Sequence, residues 1–108
     1  MKQELIGLMQ RIPYGMVVSY GELASQLDRQ YSIHTSGWLV GRVLNTLSPK
    51  DYPSDRVVPR WRVINKQGVI SALKLGQRGL DQINLLRKEG VQVTDGMVDM
   101  RIYEYNFI

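Results

Sequence analysis

Residues 35–47 read Thr-Ser-Gly-Trp-Leu-Val-Gly-Arg-Val-Leu-Asn-Thr-Leu. Thr35 or Ser36 is a capping residue, because a short hydroxyl side chain accepts from the free N–H groups of a helix's first turn. After it, Leu39, Val40, Val43, Leu44 and Leu47 recur at helical spacing and form one apolar stripe. Trp38, Gly41, Arg42 and Asn45 form a second stripe off that face. The preceding segment has the same grammar. Ser19 with Glu22 three residues on is a capping box, and the helix it opens buries Leu23, Ala24 and Leu27. Residues 28–33 connect the two. A helix pair joined this closely, the second with a basic outer face, predicts a helix-turn-helix. The same pattern also fits two helices of a bundle with one solvated face.

Outward from that pair, Leu5, Leu8, Met9 and Ile12 mark an apolar face on a helix over 2–12, which Pro13 ends by disfavouring helical geometry at Ile12. Pro13-Tyr14-Gly15 is a turn, and residues 16–18 are extended. Residues 48–58 are a loop ending in an extended piece, followed by the compact basic and aromatic cluster Pro59-Arg60-Trp61-Arg62. Val63-Ile64 and Val69-Ile70, flanking Asn65-Lys66-Gln67-Gly68, predict a hairpin. A polar loop over 71–79 leads to a helix at about 79–89 that buries Leu80, Ile83 and Leu86, with Gly90 as its stop. Residues 91–93 and 100–103 are expected to pair as short terminal strands. There is no internal repeat and no linker.

The 108 residues suit one domain over 1–108 with one core, and 44% hydrophobic residues is an ordinary value for a folded chain. No apolar run approaches the ~18 residues of a membrane span, and the polar start argues against a signal peptide, so a cytoplasmic location is expected, without membrane contact. The absence of cysteine excludes disulfides, thiolate metal sites and a thiol nucleophile. His34 is the one histidine and has no second soft ligand near it, so no metal is expected. No phosphate-cradling glycine loop, nucleophile elbow or carboxylate pair is visible, and no cofactor is expected. The net charge of +4 favours an anionic partner. The side chains suited to one are Arg60, Trp61 and Arg62 in one loop and Trp38 and Arg42 on one helix face. Arginine neutralises phosphate and stacks on bases, and tryptophan offers a face to a base.

Several ordered blocks carry a family resemblance: Ile12-Pro13-Tyr14-Gly15, Val18-Ser19-Tyr20-Gly21-Glu22-Leu23-Ala24, Val40-Gly41-Arg42, Val58-Pro59, Arg62-Val63-Ile64, Gly68, and Leu86 with Glu89-Gly90-Val91. Over roughly residues 4–92 they resemble the C-terminal domain of the alkylguanine-DNA alkyltransferases, without that family's separate N-terminal domain. The family's central loop reads Pro-Cys-His-Arg-Val. With Pro59, Arg62 and Val63 fixing the register, Arg60 stands at the cysteine position and Trp61 at the histidine position. That resembles the non-enzymatic alkyltransferase-like branch, in which tryptophan or alanine usually replaces the cysteine. A second departure is Trp38, where the family has the arginine that takes the place of an extruded base.

The resemblance implies a mixed, mostly α, winged-helix-like domain with a minor-groove helix-turn-helix and small β-hairpin elements. It implies a partner, double-stranded DNA carrying alkylated guanine or other damage, bound in the minor groove with the base flipped and no alkyl transferred. Nucleotide-excision repair proteins are implied as further partners. Tyr20, Thr35, Ser36, Gly37, Trp38, Gly41, Arg42 and Asn45 are the expected DNA-binding residues. Tyr20, Pro59, Arg60, Trp61, Arg62 and Ser71 are the expected lesion pocket, with Arg42 and Arg62 also at phosphates. Glu89, with neither histidine nor cysteine to serve, is expected to pair with Arg60 or to bond the Trp61 indole, unless it is a plain charge at a helix end. The rival readings are a protein-interaction adaptor or general DNA-binding module with a decayed pocket, and an enzyme of unrelated chemistry using Ser, Tyr or Glu.

Overall fold

The computed structural model describes residues 1–52, 57–70 and 76–107. It opens with α1 (Lys2–Gln10), whose Leu5, Ile6, Leu8 and Met9 are buried. The chain turns at Pro13 and passes Gly15, which sits at φ +81. A short strand, β1 (Val18–Ser19), leads directly into α2 (Tyr20–Tyr31). Ser19 caps α2, its hydroxyl accepting from the Glu22 N–H at 3.0 Å. Only that half of the expected capping box forms, since the Glu22 carboxylate accepts from Gln26 Nε2 at 2.9 Å. Ser32, in the left-handed region at φ 55, ends the helix. Five residues later α3 (Gly37–Thr46) begins, and Ser36, not Thr35, is its cap.

The two helices of the helix-turn-helix meet at a pair of glycines. A Cβ on Gly37 would lie 3.0 Å from the Gly21 nitrogen and 3.2 Å from its Cα. Any side chain at Gly37 would therefore push the start of α3 off α2. Val40, Leu44 and Leu47 reach the core from α3's apolar stripe, while Leu39 is exposed and Val43 packs at the core's edge.

Two 3-10 turns follow, Pro49–Asp51 and Arg60–Arg62. The second delivers the chain into β2 (Val63–Ile64), which pairs in parallel with β1, Val18 opposite Val63. This corrects the expected hairpin of 63–64 with 69–70. The Asn65–Gly68 turn exists, with the Gly68 N–H on the Asn65 carbonyl at 2.9 Å, but Val69 bridges to Met97 instead. α4 (Gln77–Lys88) buries Gly79, Ile83 and Leu86. Leu80, expected inside, is exposed: the buried face is Gly79, Ile83 and Leu86, at i, i+4 and i+7, and Leu80 lies about 100° round the helix from Gly79. Gly90 at φ +87 provides the expected stop.

The C-terminal expectation also needs correction. Residues 100–103 are not a strand but a short helix, α5 (Met100–Tyr103), capped by Asp99. The strand partners are β3 (Val93–Thr94) and β4 (Met97–Val98), antiparallel across Asp95-Gly96. Both turn residues have positive φ, 54 and 71, the conformation that Asp-Gly pairs favour in two-residue hairpins. The chain then returns beside Val17, whose carbonyl accepts from the Tyr105 N–H at 2.8 Å, and Phe107 closes the first core cluster. A second cluster forms around Val17, Ile64, Ile83 and Leu86. The result is mostly helical with small strands around a helix-turn-helix. Among the described residues no helix is long and apolar enough to cross a membrane.

Candidate nucleic-acid interface

Burying Val40 and Leu44 forces the other stripe of α3 outward. Trp38 is 68% exposed, and the Arg42 guanidinium lies 5.0 Å from its ring centroid. A large indole left in solvent beside a cation is suited to stacking on bases next to phosphate. Tyr20, at the first position of α2, lays its ring against Gly41, where a Cβ would sit 3.8 Å from Tyr20 Cδ1. Gly41 thus leaves the tyrosine beside the base of α3.

These residues form one wall of a groove of about 680 Å³. Tyr20, Gly37, Trp38, Gly41, Arg42 and Asn45 all face it. Arg60 and Trp61 of the 3-10 turn form its floor, and α4 forms the far wall with Arg78, Asp81 and Gln82. The cations in it are Arg42, Arg60 and Arg78, against the single carboxylate of Asp81. None of the three arginines is in an ion pair among the described residues. Arg60 instead donates to the Tyr52 hydroxyl at 3.3 Å.

Of the remaining expected residues, Thr35, Ser36, Pro59 and Arg62 lie off the groove. The Ser36 hydroxyl accepts from the Leu39 N–H at 3.2 Å as the cap of α3, and Thr35 is half-buried before it. Pro59 is buried behind the turn, and Ser71 lies outside the described residues. Arg62 departs most from expectation. It is not free for phosphate, because its guanidinium is enclosed: Nε and Nη2 donate to the Glu89 carboxylate at 2.8–3.1 Å and Nη1 to the Ile12 carbonyl at 2.7 Å.

Glu89 is the hub of that network. It also accepts from the Trp61 indole at 2.7 Å and from the Gly15 N–H at 2.8 Å. The expected bond to the Trp61 indole is therefore present, whereas the ion-pair partner is Arg62 and not Arg60. The Arg62 and Glu89 side chains are only 14% and 5% exposed. Burial by itself would raise the Glu89 pKa. The hydrogen bonds from Arg62, Gly15 and Trp61, with the Arg62 charge, outweigh it and hold the carboxyl below its ordinary value. Trp61 and Arg62 are thereby fixed to the end of α4, and Arg60 between them and Pro59 is left facing the groove.

The α4 wall is the part that sequence reasoning missed. Arg78, the adjacent pair Asp81 and Gln82, and Leu85 follow one another at three- to four-residue steps, but that spacing reads equally as a solvated helix face. Among the described residues no three His, Asp or Glu side chains gather as a metal site.

Residues 1–91 match the family model of the 6-O-methylguanine DNA methyltransferase DNA binding domain. The chain belongs to this family. Within the 6-O-methylguanine DNA methyltransferase DNA-binding-domain family, it is 34% identical over 105 residues to a DNA base-flipping protein of Vibrio parahaemolyticus, covering 94% of this chain and 92% of that one. It is 34% identical over 82 residues to alkyltransferase-like protein 1 of Schizosaccharomyces pombe, covering 76% of this chain and 68% of that protein. A bifunctional methyltransferase/endonuclease of Picrophilus torridus is 28% identical over 94% of this chain, but the chain spans only 30% of that longer protein. Among solved structures, S. pombe Atl1 bound to damaged DNA containing O6-carboxymethylguanine superposes with a TM-score of 0.76 at 25% identity, over 97% of this chain and 94% of that one. A second S. pombe structure with DNA gives 0.74 at 26% identity, with the same coverage. The helix-turn-helix fold is the one that this family member shares with both.

The exposure of Trp38 sets a direct expectation. Trp38→Ala is expected to leave the thermal midpoint nearly unchanged and to weaken duplex binding by about tenfold, within the range of one lost base stack. Equal affinity, or an unfolded variant, contradicts the role of Trp38 as a base-stacking wedge. The check is a thermal melt beside an anisotropy titration.

Proposed function

We propose that the protein binds duplex DNA with α3 in the minor groove and holds an everted O6-alkylguanine, or another damaged base, in the groove beneath Tyr20 without removing the alkyl group. The observation that carries this is the continuity of the groove. It joins an exposed wedge, Trp38, to a floor made by Arg60 and Trp61, in a chain with no cysteine to accept an alkyl group. Minor-groove proteins insert apolar wedges that unstack a base step, and a flipped base needs an adjoining pocket.

In this reading Arg60 occupies the place of the family's acceptor cysteine. A guanidinium cannot attack an alkyl carbon as a thiolate does, but it can donate to the N7 and O6 edge of guanine. O6-alkylation leaves N7 as an acceptor. The relatives support the reading through what they are: a base-flipping protein, and an alkyltransferase-like protein solved with O6-carboxymethylguanine DNA. Delivery of the marked lesion to nucleotide-excision repair proteins, in the cytoplasm, is the downstream step the reading includes.

The test is a pair of titrations at fixed salt, on matched duplexes with and without one O6-methylguanine. Wild type is expected to prefer the methylated duplex by about fivefold or more, because the weakened pairing of O6-methylguanine makes eversion into the groove cheaper by about 1 kcal/mol. Arg60→Ala should erase the preference and keep most general affinity. Equal binding of both duplexes by wild type refutes lesion recognition, and transfer of a labelled methyl group to the protein refutes the absence of chemistry.

A further inference from the structure

Among the described residues the Arg60–Arg62 turn pairs with no strand, yet it must hold Arg60 toward the groove. The Glu89 network fixes the side chains of Trp61 and Arg62. Its backbone is held from a different direction. Gln82, one residue past Asp81 on the groove-facing side of α4, donates through Nε2 to the Trp61 carbonyl at 3.0 Å and to the Val63 carbonyl at 3.1 Å. Both hydrogens of one amide nitrogen are used on two carbonyls that straddle Arg62. Gln82 is half-buried and also lines the groove.

We infer that Gln82 is a positioning residue for lesion recognition: it clamps the Arg60–Val63 backbone to α4 and so fixes the direction in which Arg60 meets the everted base. The inference rests on the proposed reading of the groove. The physical argument is one of preorganisation. An arginine keeps its hydrogen bond to the N7 of an everted base only if its backbone holds still, and a floor that shifts by about an ångström loses that geometry. The 3-10 turn supplies little rigidity itself, since short i→i+3 segments have poor hydrogen-bond geometry. Two side-chain bonds from a helix supply it from outside. Because both contacts are donated to carbonyls, the role requires a donor and not the amide as such. Lysine, which carries three donors on a stem of similar reach, can replace glutamine, and methionine, of similar shape without a donor, cannot.

The test compares Gln82→Met with Gln82→Lys by two readouts. Hydrogen exchange on the free protein reports the clamp without DNA. Gln82→Met should speed exchange of the 60–64 amides by about tenfold, the loss of one to two ordinary hydrogen bonds, while the α1 and α2 amides stay as in wild type. Titrations with methylated and plain duplexes report the function. Gln82→Met should reduce the preference for the methylated duplex to near one, and Gln82→Lys should restore it. A general gain in affinity from the added lysine charge raises both duplexes together and leaves the ratio unmoved. Wild-type exchange at 60–64 in Gln82→Met overturns the clamp. Faster exchange across the whole chain makes Gln82 a plain stability residue and overturns the positioning role. A retained preference in Gln82→Met also overturns it. If wild type itself shows no preference, the lesion reading fails and the role in recognition fails with it. The exchange data then still decide whether the clamp exists.

Discussion

Glu89→Ala is expected to lower the unfolding free energy by about 3–5 kcal/mol, the usual cost of breaking a buried ion pair from one side. That is a large part of the roughly 5–15 kcal/mol that holds a domain together. The substitution strands the Arg62 guanidinium, the Trp61 indole and the Gly15 N–H, all now partnered by one carboxylate. Arg62→Ala should cost a similar amount by stranding the carboxylate. The double variant should cost much less than the sum, because each single change leaves a buried charge that the other removes. Urea denaturation measures all three; a loss under about 1 kcal/mol for both single variants contradicts the network's importance.

The same carboxylate predicts an acid limb. Its folded pKa lies below the ordinary 4.5. The unfolded chain therefore binds more protons between the two values, and stability falls as pH falls through that window. The contribution is fully present above about pH 4.5 and disappears below the folded pKa. Glu89→Gln should flatten this limb while lowering stability at neutral pH.

DNA binding is expected to collapse with salt. Neutralising about 3–5 phosphates gives a slope of log affinity against log salt near −2.7 to −4.5, a loss of about 40- to 500-fold between 50 and 200 mM. Arg42 stands against the Trp38 ring and is in no ion pair among the described residues, so Arg42→Ala should make the slope shallower by about 0.9. Arg62 is committed to Glu89 and Ile12, and contributes nothing to this term. Anisotropy titrations at four or five salt concentrations give the slope. A flat response contradicts DNA as the partner and favours the adaptor reading.

The helix-turn-helix was legible because its signals are local. Ser19 and Ser36 cap, the apolar stripes follow at helical spacing, and burying Val40 and Leu44 sends Trp38 and Arg42 outward. The strand pairings were not. Val63-Ile64 has an obvious partner across a four-residue turn, but its own partner is Val18-Ser19, over forty residues back, and nothing local distinguishes the two. Asp95-Gly96 is a strong hairpin signal between runs too short to read as strands. In the site, Arg60 and Arg62 look equivalent one residue either side of Trp61. Only the position of Glu89 separates them, turning one into a structural cation and leaving the other at the groove. The α4 wall was hidden for the same reason, since Gln82 acquires its meaning from two carbonyls some twenty residues earlier.

The most direct test of the account is the position of the damaged base in a crystal structure of the complex with a duplex carrying one O6-methylguanine. The account predicts α3 in the minor groove, the Trp38 indole in the base stack, and the intact methylguanine outside the helix between Tyr20 and Arg60. A methylguanine still stacked in the duplex, with the groove beneath Tyr20 filled by the protein's own side chains, contradicts it.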